Sequence, residues 1–218
     1  MQWPPEQIWE GEDVFILGGG PSVKRFPITR LKDKHVIGCN DAYLFGEDIV
    51  DILIFGDKKW WDYHHDQVAF RAFRNPVFTN HRKMRDVLGV IHAPREESGF
   101  HRCALGWNGN TGASAINLAL VLGASRVFLI GFDMTSSDTG ETNWHSNPLD
   151  KITEIHYERY KRQMAMSIST IYANWPEVEV INLNVDSAMD LFPKVSWDQV
   201  FSSEEVEQVQ EAQHGTND

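Results

Sequence analysis

The stretch from Asp13 to Ser22 constrains the chain most: an apolar run, Val14-Phe15-Ile16-Leu17, feeds directly into Gly18-Gly19-Gly20-Pro21-Ser22. A buried strand that ends in a glycine-rich turn is how α/β proteins bring backbone N–H groups against a phosphate. Glycines permit positive φ and carry no Cβ to block a ligand, Pro21 stiffens the exit, and Ser22 supplies a hydroxyl. The standard labels do not fit. The dinucleotide fingerprint needs a glycine where Val23 stands, and a phosphate loop of the Walker type needs Gly-Lys-Ser/Thr, whereas Lys24 follows a valine.

Further strands end the same way. His35 to Cys39 and Asp51 to Phe55 read as short buried strands running into Asn40-Asp41 and Gly56-Asp57. Pro76 to Thr79 resembles a fourth, and Ser125 to Ile130 reaches Gly131-Phe132-Asp133. Glu177 to Leu183 makes the last. The pattern predicts an α/β, Rossmann-like, open and mostly parallel sheet with helices on both faces. In such a sheet ligands bind beyond the carboxyl ends of the strands, so these polar ends converge on one crevice. Lys58 to Phe73 reads as helical, with Trp60, Trp61, Tyr63 and Phe70 as core. Ala113 to Leu122 is a helix apolar nearly all round, capped by Asn110 or Thr111, with its N-terminus a second anion site. A longer helical pattern spans Leu149 to Tyr172. Residues 81–107, with one strand signal near Leu88 to His92, and 134–148 read as lid loops.

A length of 218 residues fits one nucleotide-binding domain over residues 1–201, followed by an acidic tail, 202–218, of disordered character. The composition, 42% hydrophobic and 23% charged, is that of a globular protein, without a membrane span or secretory signal, and predicts a cytoplasmic location. A net charge of −11 disfavours tracking of a nucleic-acid backbone. Cys39 and Cys103 belong to no metal or disulfide pattern and read as buried thiols. The oligomeric state is left open, a homo-oligomer included.

Among nine histidines, His145 lies in the polar loop after Asp133 and suits a general base, because an unperturbed imidazole is largely neutral near pH 7. His64 and His65 are adjacent on a helix, face different ways, and read as surface or packing residues. Asp41, Asp57 and Asp133 could hold Mg²⁺ through a diphosphate, bind a ribose, or cap loops.

Five short motifs in order carry a resemblance: Leu-Gly-Gly-Gly-Pro-Ser (17 to 22), Gly-Cys-Asn-Asp-Ala-Tyr (38 to 43), Asn-Thr-Gly-Ala-Ser-Ala (110 to 115), Ile-Gly-Phe-Asp (130 to 133) and His-Ser-Asn (145 to 147). From Val14 to about Pro193 the chain resembles the group that unites bacterial CMP-sialic-acid-dependent sialyltransferases, motility-associated flagellin glycosyltransferases and MptE-like proteins. The resemblance implies transfer of a sugar from a nucleotide-sugar donor, a CMP-sugar first, to a hydroxyl acceptor with inversion, and no metal cofactor. It places Gly18, Gly20, Pro21 and Ser22 beside the phosphate, Asn40 at the cytidine monophosphate, and Thr111 and Gly112 with them; Gly19, Asp41, Asp57 and Asn110, in or beside the same motifs, are further nucleotide-binding candidates. Asp133 falls by the nucleotide's sugar or base, and His145 becomes the base that deprotonates the acceptor.

Two positions depart from the group. Where the sialyltransferases carry tyrosines after the Gly-x-Asp motif, this chain has Met134, Thr135, Ser136 and Ser137, so Thr135 and Ser136 are the hydroxyls that would steady the leaving phosphate. The sialyltransferases also place an arginine just before the Thr-Gly segment; here Trp107, Asn108 and Gly109 stand there, and the resemblance carries over no contact to a sialic-acid carboxylate. Two other readings compete: a Mg²⁺-dependent pyrophosphokinase using ATP on a hydroxymethylpterin-like acceptor, with Asp41, Asp57 and Asp133 around the metal, and a nucleotide-binding module without catalysis.

Overall fold

A computed structural model describes residues 3–147, 149 and 152–201. Seven parallel strands form its main sheet: β1 (Asp13–Leu17), β2 (His35–Cys39), β3 (Ile52–Phe55), β4 (Val77–Thr79), β5 (Ile91–His92), β8 (Arg126–Ile130) and β9 (Glu179–Asn182). They lie in the order β5-β4-β3-β2-β1-β8-β9. Between β5 and β8 the chain makes a small parallel pair, β6 (Arg95–Glu96) with β7 (Leu105–Gly106). Strands β1 to β5 step outward in one direction, and β8 then returns to pair with the other edge of β1. The reversal places the topological switch point at the ends of β1 and β8, where an open parallel sheet forms its ligand crevice.

Alternation along each strand feeds two cores. Val14, Ile16, Ile54, Val127 and Leu129 point to one face, Phe15, Leu17, Phe55, Phe128 and Ile130 to the other. The first face is covered by α3 (Thr111–Val121), in which every residue but Gly112 is buried, with Met164 of α4 (Glu154–Ser167) and Ile171 of α5 (Ser169–Asn174) behind it. A helix enclosed on all sides explains why its sequence shows no polar stripe. The second face is covered by short 3₁₀ helices at Pro21–Arg25, Ile28–Leu31 and Asn40–Phe45 and by α1 (Lys58–His64) and α2 (Val68–Ala72). Helices therefore lie on both faces as expected, but one face has mostly short turns, with Val23, Leu31, Tyr43, Trp60 and Phe70 supplying the apolar bulk.

Several boundaries differ from the sequence reading. The helix expected over Lys58 to Phe73 breaks at Gln67, whose backbone is extended, and Tyr63 is 43% exposed while Trp60 and Phe70 are buried. The pattern over Leu149 to Tyr172 becomes α4, started by Thr153 in a reciprocal cap with His156, and then α5. Residues 81–107 are tied to the helices: Asn117 of α3 accepts from His101 N and Gly106 N and donates to His101 O, while Phe100 N donates to Thr170 Oγ1. Cys39 is buried as expected and its thiol is pushed up to about 12 by desolvation, but Cys103 is exposed. No helix among the described residues is long and apolar enough to cross a membrane. The acidic tail 202–218 lies outside the described residues.

Candidate functional site

At the switch point the glycine turn is fastened to the end of β8. Gly18 N–H donates to Ile130 O at 2.8 Å and Gly20 N–H to Gly131 O at 2.9 Å. Two of the three amides expected to face a phosphate are thus engaged within the protein. None of Gly18, Gly19 and Gly20 has a positive φ, so the turn needs glycine for close approach and not for a left-handed backbone. A Cβ on Gly18 would lie 2.8 Å from Gly131 O, and one on Gly20 would overlap the Asp133 carboxylate. Gly19 differs: its open side faces Asn143 and His145, with a notional Cβ 3.9 Å from His145 Nε2.

Asp133, 5% exposed, is held by the turn's far end. Ser22 Oγ donates to Oδ2 at 3.0 Å, Ser22 N to Oδ1 at 3.3 Å, and Asn184 Nδ2 to Oδ1 at 2.8 Å. Burial raises its carboxyl above the usual range, with the Ser22 bonds working in the opposite direction. The Ser22 hydroxyl expected at the nucleotide is thus bonded to Asp133. Pro21 is buried at the start of its 3₁₀ turn.

The crevice opens into a cavity of about 520 Å³, within the range of roughly 300–1,000 Å³ usual for small-molecule sites. The three turn glycines, Asn40, Gly131 and Asp133 form one wall, and Gly109, Asn110, Thr111 and Gly112 bring the N-terminus of α3 to another. Asn110 is the cap, accepting from Ala113 N at 2.8 Å, while Thr111 Oγ1 points to Asn40 Oδ1 at 3.5 Å. Asn40, with φ of 51°, and Met134, with φ of 53°, are left-handed residues at the strand ends that border the cavity. Such a backbone is uncommon for asparagine and costly for methionine, and it concentrates at functional sites. Gly56 admits the Trp107 ring where a Cβ would collide with it, and the Arg95 guanidinium lies 4.7 Å from that ring's centre.

The loop after Asp133 is drawn onto the turn by Trp144, whose backbone N–H donates to Gly19 O and whose Nε1 donates to Gly18 O, both at 3.1 Å. The next residue is His145. Its imidazole is not solvated: the side chain is 7% exposed, and Nδ1 lies 3.4 Å from Asp41 Oδ2. Burial lowers the pKa of His145 while Asp41 acts to raise it, and the neutral form is favoured.

Asp41 therefore sits behind the site. It is 3% exposed and accepts from Trp60 Nε1 at 2.6 Å and from Asn147 Nδ2 at 3.2 Å. Asp57 is exposed and lines the cavity mouth. The three carboxylates considered for Mg²⁺ thus lie in separate surroundings, and among the described residues no three His, Cys, Asp or Glu side chains converge as a metal site.

Thr135 and Ser136 are half-buried, and Thr135 Oγ1 bonds to Ser136 O; neither lines the cavity, because the left-handed turn at Met134 redirects the chain. The groups found there come instead from α4: His156, Tyr157, Arg159 and Tyr160. Tyr157 is buried, donates to Thr142 O at 3.1 Å, and has its phenol pushed up to about 12, chiefly by desolvation. Arg159 lies 5.2 Å over the Tyr160 ring. The sequence hid these residues inside an ordinary helical pattern. The i, i+3, i+4 spacing of His156, Arg159 and Tyr160 was the available signal that they share a face.

Against known structures, the arrangement of elements has clear counterparts. The fold is shared with two glycosyltransferases. The sialyltransferase CstII from Campylobacter jejuni, solved with cytidine-5'-monophosphate, superposes with a TM-score of 0.55 at 11% identity, covering 86% of each chain. The same enzyme with CMP-3FNeuAc gives 0.54 at 11% identity, over 84% of this chain and 86% of that one. The MAf glycosyltransferase from Magnetospirillum magneticum AMB-1 gives 0.57 at 16% identity, over 91% of this chain but only 37% of the longer protein. No protein-family model and no curated protein sequence matches the chain. The family resemblance read from the motifs is thus met at the level of fold.

Proposed function

We propose that this protein is a transferase that moves a sugar from a nucleotide-sugar donor, a CMP-sugar by preference, to a hydroxyl acceptor with inversion at the anomeric carbon. The observation that carries the reading is the placement of His145: Nδ1 3.4 Å from the buried Asp41 carboxylate, Nε2 toward Gly19 in the turn at the switch point. The acceptor oxygen attacks the anomeric carbon, the bond from that carbon to the phosphate oxygen breaks, the nucleotide leaves with the electron pair, and His145 Nε2 takes the hydroxyl proton.

The leaving phosphate belongs between Gly19 and the N-terminus of α3, where Thr111 and Gly112 present the positive end of an eleven-residue helix. Arg159 and Tyr160 face it from α4 and supply donors to the developing charge, the role expected of Thr135 and Ser136 from the motif comparison. Asn40 and Asp133 recognise the nucleoside. This chemistry requires no metal. The CMP preference is supported by the shared motifs and by the fold common with CstII, which is solved with CMP.

A thermal-shift panel of CMP, UDP, GDP, ATP and their sugar conjugates, with and without Mg²⁺, tests the reading, since a ligand bound only by the native state raises its melting temperature. CMP and a CMP-sugar are expected to give the largest shifts, unchanged by EDTA. A shift with ATP alone that EDTA abolishes, accompanied by conversion to AMP, would replace transfer of a sugar with transfer of a diphosphate.

A further inference from the structure

The sequence placed Asp41 beside the nucleotide, but its carboxylate is buried beneath His145 at the centre of a directed hydrogen-bond network. We infer that Asp41 is a positioning residue that holds His145 as the Nδ1–H tautomer, with Nε2 toward the glycine turn, and that Asn147 keeps His64 from competing for that carboxylate. The inference rests on the proposed role of His145 as base.

Among the described residues, four groups surround the carboxylate. Trp60 Nε1 and Asn147 Nδ2 can only donate. Two imidazoles approach as well, His145 Nδ1 at 3.4 Å from Oδ2 and His64 Nε2 at 3.4 Å from Oδ1. The Asn147 amide is oriented from outside the network, because its Oδ1 accepts from Leu149 N at 2.9 Å. Its Nδ2 therefore turns to the carboxylate and, at 2.8 Å, to His64 Nε2. That nitrogen must accept, so the His64 proton sits on Nδ1, directed at Tyr43 Oη 2.8 Å away; the Tyr43 hydroxyl in turn donates to Gln67 Oε1 at 3.3 Å.

With His64 fixed in this way, His145 Nδ1 is the imidazole nitrogen that offers Asp41 a proton. The opposite tautomer would set a lone pair against a buried carboxylate. When Nε2 takes up the acceptor's proton, Asp41 faces the resulting imidazolium and offsets its burial, the role a buried aspartate plays behind a histidine base in hydrolases.

The test reads the tautomer without substrate. Isotope-labelled histidine is placed in the full chain and the ring nitrogens are assigned by long-range proton–nitrogen correlation, with His145→Gln identifying the signal. Wild type is expected to show Nδ1–H at both His145 and His64. Asp41→Asn is expected to shift His145 toward Nε2–H and to lower kcat by about 10²–10⁴-fold with nucleotide affinity unchanged.

Should Asp41→Asn fail to fold, the wild-type tautomers still decide, and Asn147→Ala should turn His64 to Nε2–H. An Nε2–H His145 in the wild type, or a folded Asp41→Asn with its tautomer unmoved, overturns the inference. The predicted tautomers in a protein that turns over no nucleotide sugar support the positioning and remove the transfer reading. Transfer that requires His145 but ignores Asp41→Asn does the reverse.

Discussion

Replacing Gly20 by alanine adds one methyl group at the most crowded point of the turn. At φ of −66° and ψ of 155° alanine is unstrained, and such a change ordinarily stabilises by about 0.4–1 kcal/mol through the unfolded chain. Here the methyl would overlap the Asp133 carboxylate and approach Gly131 O to 2.6 Å. Gly131 O cannot retreat without breaking its bond from Gly20 N–H, so the carboxylate has to move.

Moving it gives up bonds from Ser22 Oγ, Ser22 N and Asn184 Nδ2 at a group only 5% exposed. Hydrogen bonds to charged groups contribute about 1.5–3 kcal/mol each, so loss of two outweighs the entropic gain and leaves a net cost of about 2–5.5 kcal/mol. Urea unfolding measures it: with a slope of about 1–3 kcal/mol per molar, the midpoint should fall by more than about 0.7 M. Gly19→Ala is the internal control, since its nearest neighbour is the flexible end of Asn143 at 3.3 Å; it should unfold within about 1 kcal/mol of wild type. Equal stability of Gly20→Ala and wild type, or equal losses in the two variants, would refute the argument from close approach.

Burial lowers the pKa of both His145 and His64, so their contribution to stability is present above the ordinary imidazole value of 6.5 and lost as pH falls through the folded-state values. The melting temperature should drop below pH 6.5 and the drop should shrink in His64→Gln, while the acid limb of kcat/KM should lie below 6.5; a melting curve with the same pH dependence in variant and wild type would count against it. Trp144→Phe keeps the ring against Phe45 but removes the bond to Gly18 O, costing about 1 kcal/mol by urea unfolding. Its transfer rate should fall further, by about 10-fold or more, because His145 follows directly and misplacement of a catalytic group is costly. Asn117→Ala strands His101 N, Gly106 N and His101 O in the interior and should cost about 3 kcal/mol or more, seen as faster proteolysis within residues 95–107.

The central strands β1, β2, β3 and β8 were legible because each is a short apolar run, buried on both faces, that ends in glycine or a polar pair, so no amphipathic signal is needed. The two-residue strands β6 and β7 carry no such run and lie within a stretch that reads as a loop. The switch point followed from Gly18 to Gly20 and Gly131 to Asp133 once the order of strands was assumed parallel. What the turn's glycines do was not legible. Their purpose is set by Asp133 and Gly131 O, more than a hundred residues away in sequence, and nothing local to Leu17 or Pro21 reports it. The pairing of Asp41 with His145 was hidden for the same reason, as was the place of His64, which reads in the sequence as a surface or packing residue. The face of α4 with Arg159 and Tyr160 was not legible because it lies within an ordinary helical pattern well beyond Asp133, while the residues directly after Asp133 are turned aside by the left-handed Met134.

The role of His145 is decided by the rate of transfer from the nucleotide sugar selected by thermal shift, in wild type and in His145→Ala, with nucleotide affinity measured in parallel. Turnover in His145→Ala is expected to fall by about 10²–10⁴-fold with affinity preserved, as for removal of a positioned base. An unchanged rate in His145→Ala would contradict that role.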